Sequence, residues 1–231
     1  MEITQLRPEL YMLQPSFGQA YLWRDAGSLT LIDTGIVGSG AGIAEAIGKL
    51  GFDRRELTRV VVTHFHEDHT GSAAEIRAWG GVTVMAHRLE APVVRGVVPG
   101  QAPAFLDWER ELHAQVATGL PPAPPCPVDR ELEDGDVIDF GGGARVIATP
   151  GHTDGSIAIH LPESGVLFTG DTVAHVDGQV MLGVFNVDRA RTMESFRALA
   201  ELDTALACVG HGRPITTDVP GTLTAVSRNF T

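Results

Sequence analysis

The stretch VVVTHFHEDHTGS, residues 60–72, decides how the chain is read. Three valines run into a segment where His64, His66, Asp68 and His69 fall within six positions. The valines read as a buried strand. Polar side chains crowded at the tail of such a strand are costly unless they find partners. His64 and His66 are two apart, so at a strand end both point the same way. Asp68 and His69 follow in the turn before the next helix. Imidazole nitrogen and carboxylate oxygen suit zinc, at about 2.0–2.2 Å from the ion. Two ions require more ligands than these four.

Further along, polar residues again stand beside glycine at the ends of apolar runs. They are His152 in TPGHTDGS, Asp171 in LFTGDT and His211 in VGHGRP. Each adjacent glycine permits a tight turn and close backbone approach.

Around these segments strand and helix patterns alternate. AYLWR and LTLIDTG read as strands joined by a hairpin turn at Ala26-Gly27. SGAGIAEAIGKLGF places Ile43, Ile47 and Leu50 on one face of a helix. RVVVTH, the helix SAAEIRAW and the strand VTVMAH follow, which is the order of an α/β layered domain. From about residue 88 to 129 the pattern loosens into a surface excursion, with a helix predicted around Phe105 to Val116 and a proline-rich stretch. RELEDGDVIDF then reads as a hairpin about Asp134-Gly135, followed by the strands ARVIATP, SIAIHL and GVLFTGD. The helix DRARTMESFRALAEL and the strand ALACVG complete a second strand-rich half. Residues 1–231 are thus expected to form a single domain of two similar halves.

Composition bounds the function. At 231 residues and 43% hydrophobic, the chain can bury a substantial core. A net charge of −12 argues against a nucleic-acid partner, because phosphate binding calls for a basic face. No apolar run is long enough for a membrane span, and MEITQLRPEL lacks a secretory pattern, so a cytoplasmic protein acting on a small molecule is expected. Cys126 and Cys208 form neither a disulfide framework nor a CxxC pair, and Cys208 in ALACVG reads as a buried, inert thiol.

The ordered set HxHxDH, GHT, GD and GH, spanning residues 64–211, resembles the metallo-β-lactamase fold superfamily of metallohydrolases. LIDTG at 31–35 and AYLWR extend the resemblance. It implies an α/β fold, a four-layered αββα sandwich with two metals at one edge between the sheets. His64, His66 and His152 would bind the first metal; Asp68, His69 and His211 the second, with Asp171 bridging both. Asp33 would orient this cluster through hydrogen bonds. The implied cofactors are two zinc ions, with iron or manganese as alternatives. The implied reaction is hydrolysis of an ester, thioester or lactone by a metal-bridging hydroxide, with Asp68 guiding the proton and Asp171 as the second catalytic carboxylate.

No named branch fits throughout. True β-lactamases of this fold generally lack an aspartate at the bridging position, where this chain has Asp171. Flavodiiron proteins usually carry Glu where His66 stands. Glyoxalase II enzymes, which the motif set otherwise approaches, add a C-terminal helical domain, which is not expected from the twenty residues 212–231. Acyl-homoserine lactonases often use a tyrosine after the bridging aspartate, whereas Tyr11 and Tyr21 lie well before it. A mononuclear iron persulfide dioxygenase, a phosphodiesterase and a non-catalytic metal-binding protein stay open beside the hydrolase. Substrate contacts are expected from the excursion and residues 172–188, with Phe105, Trp108, His175 and Phe185 as candidates. His87, His113 and His160 are assigned to surface or packing.

Overall fold

The computed structural model describes residues 1–117 and 119–230. The chain divides into two compact units, Met1–Gly100 with Leu120–Leu132, and Gln101–Gly119 with Glu133–Thr231. The expected excursion is therefore shared between them.

The first unit holds a seven-stranded sheet in chain order: β1 (Glu2–Arg7), β2 (Leu10–Gln14), β3 (Ala20–Asp25), β4 (Ser28–Ile32), β5 (Leu57–Val62), β6 (Thr83–His87) and β7 (Arg130–Leu132). The strands from β1 to β4 pair antiparallel, and those from β4 to β7 parallel. The β3–β4 turn falls at Ala26-Gly27 as its sequence predicts, with Gly27 at φ 79°. Parallel strands need crossovers, and the helices α1 (Ser39–Lys49), α2 (Glu67–Thr70), α3 (Ala73–Arg77) and α4 (Ala91–Val94) lie in those connections. Ile43 and Ile47 of α1 are fully buried, in one cluster with Leu31, Val60, Val62 and Ile76. Val61, on the other face of β5, is equally buried. A strand covered on both faces reads as an unbroken apolar run, which is why three valines stand together. Each buried valine contributes about 1.5–3 kcal/mol. The strand that delivers the polar cluster is therefore firmly seated.

The second unit holds a five-stranded sheet ordered β14-β11-β10-β9-β8, and a separate β12–β13 hairpin. Its elements are α5 (Asp107–Val116), β8 (Val137–Ile138), β9 (Ala144–Ala148), β10 (Ile157–Leu161), β11 (Val166–Phe168), β12 (Val173–Val176), β13 (Gln179–Leu182), α6 (Arg189–Ala200), β14 (Leu206–Cys208) and α7 (Val219–Ser227). Since β9 and β11 are both antiparallel to β10, and β14 is parallel to β11, the strands β9, β11 and β14 run in one direction. Phe168 and Phe196 of α6 are among the largest fully buried side chains.

One local expectation is corrected. Residues 130–140 do not form a hairpin: β7 joins β6, whereas β8 joins β9 in the other sheet. The carboxylate of Asp134 accepts Ala148 N–H at 2.8 Å, and Gly135 N–H reaches Val146 O at 2.9 Å, so the turn caps β9 instead. Residues 173–182, expected only to supply substrate contacts, form the β12–β13 hairpin on Asp177 (φ 51°) and Gly178 (φ 77°). That left-handed pair is what a two-residue hairpin requires. Both cysteines are buried; burial pushes the Cys126 thiol up to about 11, so it is inert as a nucleophile. Among the described residues, no helix is long and apolar enough to cross a membrane.

His160 on β10 is only 7% exposed, and burial holds its pKa below the ordinary 6.5. The folded state thus disfavours a proton that the unfolded chain accepts. Stability is complete above 6.5 and is lost as pH falls from there towards the folded value. H160Q is expected to show a smaller loss of urea midpoint between pH 7.5 and 5 than the natural protein. An equal loss would remove His160 from the acid response.

Candidate metal centre

In the first unit the polar cluster sits just beyond the carboxyl end of β5. The chain bends at Thr63–Phe65, and His66 caps the short helix α2, which carries Asp68 and His69. His64 and His66 therefore meet through a bend rather than through strand alternation, with ring centroids 4.7 Å apart. The His64 and His69 rings are 4.0 Å apart. His64, Asp68 and His69 are buried and His66 is half-buried.

Asp33 organises this group from the end of β4. Its backbone takes φ 58°, a left-handed value that aspartate tolerates better than bulkier residues. Oδ1 accepts Thr63 N–H at 2.8 Å, and Oδ2 accepts the Thr63 hydroxyl at 2.8 Å. Oδ2 also lies 2.8 Å from His69 Nδ1. A carboxylate accepts, so Nδ1 of His69 carries the hydrogen and Nε2 keeps the lone pair that a metal would take. Thr63 passes the same order to His64: its hydroxyl donates to Asp33 and accepts from His64 Nδ1 at 3.0 Å. Thr34 N–H and Oγ1 both donate to His69 O, at 2.8 Å each. Thr63 carries no metal-ligand signature, and only its place immediately before HxH marks it.

The second unit gathers its own group at the common end of β9, β11 and β14. His152 lies in the turn after β9, Asp171 in the 3-10 turn after β11, and His211 after β14. Gly210 N–H bonds Gly170 O at 3.1 Å, locking the His211 and Asp171 turns together. Oδ2 of Asp171 stands 3.2 Å from His211 Nε2 and 3.7 Å from His152 Nε2. In the first unit, Asp68 Oδ2 is 3.5 Å from His69 Nε2. Two atoms sharing a tetrahedral ion at about 2.1 Å would stand about 3.4 Å apart. All three pairs match that spacing, and nitrogen and oxygen donors of this kind suit a divalent ion.

The substrate candidates are placed as follows. Phe105 and Phe185 meet edge-on at 5.9 Å, and His113 packs against both, at 4.8 and 5.0 Å. The Arg110 guanidinium lies 5.7 Å over the Phe105 ring. Trp108, on the same helix, is 49% exposed. His175 is bound to the His211 loop: its N–H reaches His211 O at 3.1 Å, and its Nδ1 lies 2.7 Å from Arg213 O. Gly212 (φ 98°) backs this contact, since a Cβ there would strike His175 O.

Fold and donors together define an α/β protein with groups that could hold a metal gathered at strand ends. A model of the metallo-beta-lactamase superfamily matches residues 13–211, and the chain belongs to that superfamily. It is 31% identical over 208 residues to the probable metallo-hydrolase YflN of Bacillus subtilis, covering 82% of this chain and 77% of that protein. It is 31% identical over 198 residues to a hydroxyacylglutathione hydrolase of Cereibacter sphaeroides, covering 83% of this chain and 61% of that enzyme. A hydroxyacylglutathione hydrolase of Gloeobacter violaceus is 36% identical over 133 residues, 57% of this chain and 39% of that enzyme. The chain thus spans only part of the length of these two enzymes. Among solved structures, the metallo-β-lactamase SMB-1 superposes with a TM-score of 0.75 over 99% of this chain and 94% of that one, at 20% identity. The fold is that of the superfamily, as the motif order implies.

D33A is expected to weaken zinc binding about 10- to 100-fold, the usual effect of losing a partner that orients a ligand. T63V is expected to fall at the lower end of that range, because His69 keeps its own bond to Asp33. Chelator competition on the metal-free proteins measures both. Affinity unchanged in folded D33A would refute the orienting role.

Proposed function

We propose that the chain is a hydrolase for an ester, thioester or lactone that works with two zinc ions. In this reading His64, His66 and His152 would hold one ion, and Asp68, His69 and His211 the other, with Asp171 serving both. The carrying observation is the placement of its Oδ2 beside His152 and His211, two histidines assigned to different ions. When bound, such a pair supplies a nucleophile from water near neutral pH and polarises a carbonyl.

The chain's own groups do the rest. Asp33 and Thr63 hold the imidazoles in the tautomer that offers Nε2. Asp68 takes the proton of the attacking water and returns it to the departing alcohol or thiol. Phe105, Trp108 and Phe185 meet the apolar part of a small-molecule substrate, and His175 adds a polar contact beside the His211 loop. Two hydroxyacylglutathione hydrolases among the relatives support the thioester as the first class to try. The net charge of −12 disfavours nucleic acid.

The decisive experiment pairs metal content by mass spectrometry with a screen of thioesters, lactones and phosphodiesters. Two zinc ions per chain and thioester or lactone turnover are expected. A metal-free protein sinks the reading, and one iron per chain turns it to an oxygenase. D171A is expected to lose turnover and metal together; turnover retained at natural metal content refutes the shared role. F185A is expected to raise KM several-fold for apolar substrates while metal content stays constant. Unchanged KM across the series would drop the aromatic contact.

A further inference from the structure

Two buried glutamates lie outside the ligand set. Glu90, between β6 and α4, is 1% exposed, and Glu109 on α5 is 2% exposed. A buried carboxylate costs several kcal/mol unless hydrogen bonds compensate it, roughly as any charge taken out of water. Each accepts the backbone N–H of a phenylalanine, and each phenylalanine belongs to a loop that carries or braces metal ligands.

In the first unit, Glu90 Oε2 accepts Phe65 N–H at 2.7 Å. Phe65 stands between His64 and His66, so this bond fixes the peptide joining them. The Thr70 hydroxyl holds the same bend at Phe65 O and His66 O, at 3.0 Å each. Glu90 is itself rooted in backbone: its N–H reaches His87 O at 2.9 Å, and its carbonyl accepts from Val93 and Val94.

In the second unit, residues 183–188 form a strap between ligand-bearing turns. Gly183 N–H bonds Thr172 O at 3.1 Å, and a Cβ on Gly183 would collide with Asp171 O. At the other end, Val187 N–H bonds His152 O at 3.1 Å. Asn186 braces the interior, donating to Gly183 O at 2.7 Å and accepting from the Thr192 hydroxyl at 3.0 Å. Phe185, in the middle, takes the left-handed φ of 60°, which a bulky residue adopts only when held. Glu109 Oε1 accepts its N–H at 3.3 Å, while Oε2 accepts Leu106 N–H at 2.8 Å.

We propose that Glu90 and Glu109 are positioning residues for the metal ligands, each clamping the phenylalanine N–H of a ligand-bearing loop before the ion arrives. The inference rests on the metal-ligand reading above. It also assigns a role to α5, which docks on the strap beside His152 and Asp171.

The test uses full-length protein and zinc alone as the probe. E90A and E109A are expected to bind zinc about 10- to 100-fold more weakly by chelator competition, the range seen when a ligand loses its outer partner. E90Q keeps an acceptor for Phe65 and is expected to recover most of the affinity. E109Q keeps one acceptor of two and is expected to recover part. Thermal melting of the metal-free variants separates this from a packing role, which would lower the melting temperature and leave affinity intact. Folded alanine variants of natural affinity overturn the proposal. Amide exchange on the natural metal-free protein gives an independent answer: Phe65 and Phe185 are expected to be protected, and rapid exchange at both overturns it even if the alanine variants do not fold. Natural protein that binds no zinc but protects both amides would instead sink the metal reading.

Discussion

The carboxylate of Asp33 is the constraint on which the first ligand group depends. It sits at the end of β4 in a left-handed conformation and accepts from Thr63 twice and from His69 once. Removing it strands a buried backbone N–H, a hydroxyl and an imidazole, at about 1–3 kcal/mol for each group left unsatisfied. Those same bonds choose which ring nitrogens of His64 and His69 face outward. Stability and ligand orientation are thus one network, and a change to Asp33 acts on both. Thr34, the next residue, fixes the backbone of His69, so both the ring and the peptide of one ligand hang from the end of one strand.

Strand direction explains how residues far apart in sequence reach a common edge. In the second unit, β9, β11 and β14 run the same way, so the turns after them hold His152, Asp171 and His211 at one end of the sheet. In the first unit, β4 and β5 are parallel neighbours, and their carboxyl ends bring Asp33 to Thr63 across an interval of 30 residues. Functional residues collect at the carboxyl ends of strands because the loops there escape the ladder and can shape a site. In the second unit, Gly151, Gly170 and Gly212 beside His152, Asp171 and His211 take positive φ and allow the chain to turn sharply there. Gly183 shows the limit: only a residue without Cβ lets the strap lie on Asp171.

Much of this was legible in the sequence, for a physical reason. A group that could hold a metal must carry a donor atom at its tip, so His64, His66, His69, His152 and His211 stand out by type and spacing. The strands announce themselves through apolar runs, as the buried valines of β5 do. What the sequence hid are partners chosen by proximity alone. Any nearby carboxylate can accept an N–H, and Glu90 and Glu109 meet Phe65 and Phe185 across 25 and 76 residues. Thr63 was hidden differently, because a hydroxyl between an aspartate and a histidine looks like any strand threonine. The misread hairpin at Asp134-Gly135 has a third cause. Its turn residues are sound, but Asp134 serves β9 rather than closing β7 on β8.

The donor set and the aromatic group rest on different supports in this arrangement. The ligand-bearing turns are pinned by backbone hydrogen bonds on strand ends, where small shifts change donor spacings of 3.2–3.7 Å. The aromatic group of Phe105, His113 and Phe185 is built instead on a helix and a strap, through ring contacts at 4.8–5.9 Å. Ring contacts of that kind tolerate exchange of one apolar side chain for another far better than a donor set tolerates loss of a donor. The backbone of Phe185 serves the ligand turns and its ring serves the aromatic group, so the two layers meet at one residue without sharing atoms. A substitution of the ring alters this aromatic group. Glu109 instead holds the peptide beneath the ring, in the strap that bonds Thr172 O and His152 O.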